Sequence, residues 1–169
     1  MNAALHDLGA FEPAVLALAD ALRARGSCIV TAESCTGGLL AAVCTSVAGS
    51  SDWFERGFIT YSNDAKREML QVSEPLLMSF GAVSAEVASA MALGAIANTR
   101  AQWSVAVTGI AGPGGATPDK PVGTVWIAIA RRGDATARVQ RLQIDGDRAV
   151  VRGHTVAQAL SALYAAVTA

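Results

Sequence analysis

The run VGTVWIAIA (122–130) is apolar on both of its alternating faces. A strand with one wet face alternates apolar and polar residues, whereas a strand covered on both faces does not. This stretch therefore reads as a central strand that needs a packed layer on each side. The flanking sequence supplies helices for those layers. Residues 11–25 (FEPAVLALADALRAR) have helical spacing, with Pro13 near the first turn and Gly26 at the end. SCIVTA (27–32) is a short β-rich run, and a helix from Thr36 or Gly37 to about Val47 follows it. RGFITY (56–61) reads as a buried strand. Ser62-Asn63-Asp64 is a capping cluster ahead of AKREML, and 73–80 forms a short helix or turn ending at Gly81. Ser84 caps a helix to about Asn98, WSVAVTG (103–109) is a strand, and Asp145 or Asp147 caps a last helix to about Val167.

Helices between the first three strands imply parallel, right-handed crossovers. RRGD (131–134) joins 122–130 to the more polar ATARVQRLQI (135–144) as an antiparallel hairpin. The predicted fold class is α/β: a three-layer α/β/α sandwich with a mixed, mostly parallel sheet of about five strands. With 169 residues the chain is expected to be one domain, 1–169. Ligands of such sheets sit beyond the carboxyl ends of the strands. Three unusual loops fall there: 31–38, 61–66 and 108–121.

Composition narrows the function classes. The chain is 52% hydrophobic and 16% charged, with much of the apolar share in alanine. No apolar run reaches the ~18–20 residues of a spanning helix, and no signal peptide is apparent, so no membrane association is expected. A net charge of −1 argues against a nucleic-acid partner. Cys28, Cys35 and Cys44 are an odd number without metal-type spacing, which suggests a reducing, cytoplasmic setting. Cys28 and Cys44 read as small core residues. Cys35 sits inside an unusual turn. No His/Cys cluster is present, so neither a metal nor a cofactor is expected. The alanine-rich helices leave a homo-oligomer possible.

The first loop, TAESCTGG (31–38), places Ser34 just ahead of a helix start, where free N–H groups favour negative charge. Gly37 and Gly38 allow close approach to the backbone. Ser34 is either a nucleophile or, with Thr36, merely an N-cap. Glu33 either orients a neighbour, binds substrate or has a simple surface or buried-pair role. In the second loop, YSNDAK (61–66), a cap at Asn63 or Asp64 puts Lys66 in the first turn of a helix, whose positive field lowers a lysine pKa. A neutral lysine can serve as the base for a serine, and the alternative is a solvated surface lysine. Eleven of the thirteen basic residues are arginine, and only Lys66 and Lys120 are lysine. His6 lies near the terminus and His154 inside the last helix, so a Ser-His-acid triad is poorly supplied. The third loop, TGIAGPGGATPDKPVG (108–123), holds five glycines and matches neither a P-loop nor a dinucleotide fingerprint. It is an amide nest for an anion or an ordinary long loop. Lys120 is an anion contact or solvated. Arg148, in GDR (146–148), is a phosphate or carboxylate clamp or a surface residue.

In this order, TAESCTGGLLAA, AGSSDWFERGFITYSNDAK, GAVSAEVASAMA, VTGIAGPGGATPDKPVGTVWIA and GDRAVVR resemble the CinA C-terminal domain family, the nicotinamide-nucleotide amidases. The resemblance covers about residues 28–152. It implies hydrolysis of the carboxamide of nicotinamide mononucleotide to nicotinate mononucleotide and ammonia, and a mixed five-stranded α/β/α sheet. Ser34 matches the nucleophile and Lys66 the base, with Tyr61 nearby as a third catalytic candidate, a proton relay or ring-stacking side chain if not a half-buried core edge. Thr108 and the glycines after it match the substrate loop, and Arg148 a phosphate contact. The candidate substrate-binding set is thus Glu33, Cys35, Thr36, Gly37, Gly38, Thr108, Gly109, Gly112 and Arg148, around a pyridine mononucleotide. The oxyanion is expected on N–H groups at the start of the 36–47 helix. The family often carries an additional N-terminal domain, for which 169 residues leave no room, so that domain's pyrophosphatase activity is not expected. The alternative is a non-catalytic nucleotide-binding or regulatory module of the same fold.

Overall fold

The computed structural model describes residues 7–169; His6 lies outside them. Its centre is β3 (Trp103–Gly109), flanked on one side by β1 (Ile29–Glu33) and β2 (Phe54–Ile59), and on the other by β4 (Thr124–Arg131) and β5 (Arg138–Gln143). The strand order is β2-β1-β3-β4-β5. β1 is parallel to both β2 and β3, and β4 is antiparallel to β3 and to β5. The crossovers expected between the first three strands and the late hairpin are all present. The apolar 122–130 run forms β4, an interior strand covered on both faces.

The two faces are built from different side chains. β-branched residues of β3 and β4 (Val105, Val107, Ile127, Ile129) face α1 (Glu12–Ala24), α2 (Leu39–Cys44) and α6 (Arg148–Thr168), which contribute Leu18, Leu22, Leu40, Leu160 and Leu163. The alternate residues, Ala106, Ala128 and Ala130, face α5 (Ala85–Ala97), itself rich in alanine around Val87 and Met91. Small residues on both partners let α5 lie close to the sheet. Gly94 of α5 lies so close to α3 (Asn63–Leu70) that any Cβ would collide with the Leu70 carbonyl. α4 (Glu74–Phe80) completes this layer. Fully burying one of the Leu, Val or Ile side chains contributes roughly 1.5–3 kcal/mol, so both layers hold the sheet.

Register decides where the loops meet. Glu33 pairs with Ile59 on one side and with Val107 on the other, so β1 and β2 end level and β3 runs on to Gly109 at the same rim. The loops after β1, β2 and β3 open on one rim, and α6 begins there after β5.

Two expectations are corrected. The strand expected at 56–61 as buried is Phe54–Ile59 and half exposed, because it is an edge strand paired only with β1. The helix expected from Thr36 or Gly37 starts at Leu39 and ends at Cys44, because Gly37 and Gly38 adopt φ values of 58° and 94° and form a left-handed turn first.

Candidate active site

Ser34 is the first residue beyond β1. Its N–H donates to the Val107 carbonyl at 3.0 Å, which extends the β1–β3 ladder by one residue and fixes where the side chain emerges. The Gly37 N–H donates to the Ser34 carbonyl at 3.1 Å and closes the turn.

Lys66 approaches from α3. The N-cap is Ser62, rather than Asn63 or Asp64, and its hydroxyl accepts from the Ala65 N–H at 3.0 Å. Lys66 is only 1% exposed. Its Nζ donates to the Thr60 carbonyl at 2.8 Å and to Ser34 Oγ at 3.0 Å. It makes no salt bridge among the described residues. Burial lowers its pKa to about 8, against a smaller opposing influence of Cys35. With that pKa the lysine is still mostly protonated at pH 7, with roughly a tenth neutral, and the neutral form takes over above about pH 8.

Glu33 organises the turn. Its buried carboxylate accepts from the Thr36 hydroxyl at 2.7 Å and from the N–H groups of Gly38, Leu40 and Ala41 at 2.9, 3.0 and 2.8 Å. Glu33 therefore orients its neighbours, the first of its three sequence readings. It also occupies the start of α2, where the oxyanion was expected. From 34 to 41, the N–H groups of Ser34, Gly37, Gly38, Leu39, Leu40 and Ala41 are all committed to other residues. Only those of Cys35 and Thr36 donate to no other described residue.

The remaining sequence candidates divide into those that reach the rim and those that do not. Tyr61 does: it is 59% exposed, and its hydroxyl accepts from Arg148 Nη2 at 2.9 Å. Arg148 Nη1 donates to the Gly112 carbonyl at 3.0 Å, tying the loop after β2 to the loop after β3. A Cβ placed on Gly37 would lie 3.9 Å from the Tyr61 ring, so that glycine faces the same space. Cys35 points into the core beneath the turn, and burial pushes its thiol up to about 12. Thr36 is buried with its hydroxyl on Glu33. The Thr108 hydroxyl is buried and donates to the Ala82 carbonyl at 2.8 Å. Gly109 serves packing, since a Cβ there would lie 2.7 Å from Val125 Cγ2. Lys120 donates to the Phe80 carbonyl at 2.7 Å at the end of α4. Cys44 is buried, half-buried Cys28 meets Gln102, and all three thiols are free. His154 is exposed on α6.

Sequence reasoning missed Arg152. Its Nη2 donates to the Thr36 carbonyl at 2.6 Å, across 116 positions of chain. The available signal was its spacing of four from Arg148 on a helix, which puts both on one face. Among the described residues, no group of three or more His, Cys, Asp or Glu side chains could hold a metal. No described helix is long and apolar enough to cross a membrane. A cleft of about 690 Å³, lined by Arg25, Trp103, Arg131 and Arg138 among others, lies at the opposite rim. It is the Ser34–Lys66 contact that singles out the site, and cavity size does not.

Fold and contact together define a three-layer α/β/α domain with a hydrogen-bonded serine–lysine pair at the carboxyl rim of its sheet. The chain belongs to the CinA C-terminal domain family, whose sequence model matches residues 12–167. It is 52% identical over 145 residues to the nicotinamide-nucleotide amidohydrolase PncC of Escherichia coli, covering 85% of this chain and 87% of that one. The corresponding Pseudomonas putida protein is 51% identical over 148 residues, covering 86% and 90%. Among solved structures, the competence damage-inducible protein A of Klebsiella pneumoniae superposes with a TM-score of 0.88 at 38% identity, over 92% of this chain and 96% of that one. The competence/damage inducible protein CihA of Agrobacterium tumefaciens gives 0.87 at 45% identity, over 94% of each.

Proposed function

We propose that the chain hydrolyses the carboxamide of nicotinamide mononucleotide, giving nicotinate mononucleotide and ammonia, with Ser34 as nucleophile and Lys66 as general base. The observation that carries this reading is the 3.0 Å contact between Lys66 Nζ and Ser34 Oγ. The substrate follows from similarity to amidohydrolases of that name. The three free thiols support a reducing, cytoplasmic setting.

The chemistry runs as acyl transfer. Neutral Lys66, its amine aimed by the Thr60 carbonyl, takes the Ser34 proton as Oγ bonds to the carboxamide carbon. The oxyanion falls to the uncommitted N–H groups of Cys35 and Thr36. In comparable sites one such donor is worth roughly 3–4 kcal/mol of barrier. Protonated Lys66 then gives its proton to the departing nitrogen, the C–N bond breaks and ammonia leaves. Water, deprotonated by Lys66, attacks the ester and releases the acid and the serine. Arg148, exposed beside Tyr61 and Gly112, meets the substrate phosphate, and the 109–115 backbone shapes the rest of the pocket. The reaction so written draws on no metal or cofactor.

The test is ammonia release from nicotinamide mononucleotide, with the nucleotide product identified by chromatography. Turnover in the wild type and its loss in Ser34→Ala are expected. Binding of the nucleotide without ammonia release would instead identify a regulatory module and overturn the enzymatic reading.

A further inference from the structure

α6 sends two arginines to the rim, four residues apart, and they meet different partners. Arg148 is exposed and touches Tyr61 and the Gly112 carbonyl. Arg152 is half-buried, its Nε is buried without a hydrogen-bond partner, and its short contact is with the Thr36 carbonyl at 2.6 Å. Its Nη2 lies 3.9 Å from where a Cβ on Gly37 would sit, so the guanidinium rests directly against the turn that carries Ser34. Burying part of a cation with an unsatisfied N–H is unfavourable, and an apolar side chain would fill the space at lower cost. What an apolar side chain cannot do is hold a carbonyl.

That carbonyl sits at a telling place. It belongs to the peptide that follows the two N–H groups, of Cys35 and Thr36, left uncommitted between 34 and 41. The turn is also anchored by the Ser34 N–H on the Val107 carbonyl, the Gly37 N–H on the Ser34 carbonyl, and the Thr36 hydroxyl and Gly38 N–H on Glu33. Without Arg152, the Thr36–Gly37 peptide would be held only by the Leu39 N–H at 3.2 Å and by the Gly37 bond.

We propose that Arg152 is a positioning residue for catalysis: by gripping the Thr36 carbonyl it sets the peptide planes of the Ser34–Gly37 turn so that the Cys35 and Thr36 N–H groups face the developing oxyanion. The inference rests on the amidase reading above. Small displacements of such donors cost turnover far more than binding.

Two readouts test it. With nicotinamide mononucleotide, Arg152→Ala is expected to lower kcat roughly 10²-fold while KM stays within about threefold and the pH at which activity rises is unmoved. Arg152→Lys, which keeps one donor, should recover a large part of the loss. The second readout is phosphonylation of Ser34 by a fluorophosphonate: Oγ bonds to phosphorus, fluoride leaves, the proton goes to Lys66, and the adduct oxygen occupies the same donors. Labelling should slow in the same rank order. A raised KM at unchanged kcat would make Arg152 a substrate contact and overturn the proposal, as would wild-type kcat and labelling in Arg152→Ala. If Arg152→Ala does not fold, Arg152→Lys decides: a kcat about tenfold down at unchanged KM supports the proposal, and wild-type kcat sinks it. Arg152-dependent labelling in a protein that releases no ammonia would remove the amidase reading and keep the positioning role. Full kcat of Arg152→Ala on the nucleotide would do the reverse.

Discussion

The turn 34–38 and the loop 110–121 share a rim and an abundance of glycine, yet they are held in opposite ways. The turn is pinned from within: Glu33 takes three N–H groups and a hydroxyl, and Arg152 takes a carbonyl. The loop is exposed from Pro113 to Asp119 and pinned mainly at its ends, by Arg148 on the Gly112 carbonyl and by Lys120 on the Phe80 carbonyl. The difference separates two demands. A nucleophile and its oxyanion donors must stay within a few tenths of an ångström of productive geometry, whereas a surface that admits and releases a nucleotide gains from give. Under the proposed function, the buried network would meet the first demand and the loop tethered at its ends the second.

The comparison breaks most sharply at Lys66. Lys66→Arg keeps a positive charge but cannot lose its proton at working pH, so kcat should fall by roughly 10³-fold or more. Substantial residual turnover would remove the base. Next comes Glu33. Glu33→Ala strands three N–H groups and a hydroxyl in a buried site, and the loss of stability should be about 3–5 kcal/mol, read as a lower denaturant midpoint. A loss below about 1 kcal/mol would mean that the turn is rigid for another reason.

The lysine pKa gives a third measurement. Burial lowers it from 10.5 to about 8, so kcat/KM should climb roughly tenfold per pH unit below that value and level off above it. The same shift sets a linkage. Between pH 8 and 10.5 the unfolded chain binds a proton at Lys66 that the native protein does not, so this residue's contribution to stability rises with pH in that window. Below pH 8 both states are protonated and the cost of burying the charge is felt in full. Lys66→Met should therefore be inactive yet more stable than wild type at pH 7, with the gap narrowing towards pH 10. A gap that stays constant over this range would contradict the lowered pKa. The smallest effect is expected at the loop. Lys120→Ala frees one end, and KM should rise no more than about threefold with kcat unchanged, because an exposed tether of this kind is worth roughly 0–1 kcal/mol. A collapse of kcat would show that the loop carries chemistry after all.

Much of this arrangement was legible before any coordinates. TAESCTGG and YSNDAK each end a strand and begin a helix, and two parallel crossovers place them on one rim, so spacing and topology brought Ser34 and Lys66 to one edge, and the family resemblance supplied their expected roles. Thr108 was legible only as a position. Its hydroxyl turns to Ala82 because β3 is buried on both faces and that side chain faces the α5 layer. Tyr61 and Arg148 were each recognised, but nothing local indicates that they would meet. The burial expected for 56–61 failed because its apolar residues do not reveal whether a second strand lies on its far side, and among the described residues none does.

What the sequence determined by itself were the features that depend on neighbours a few residues away: periodicity, capping side chains, glycine turns, and a strand with no polar face. These specify strands, helices and their order, and the parallel crossovers between the first three strands then bring the three loops to one rim. What only the tertiary structure decided were the hydrogen-bond partners of buried polar groups. A bond needs its two atoms within about 3 Å and in line, and that condition is met only once both sheet faces have packed. So Glu33 became the cap of the helix expected to hold the oxyanion, and Arg152, 116 positions from Thr36, came to grip its carbonyl.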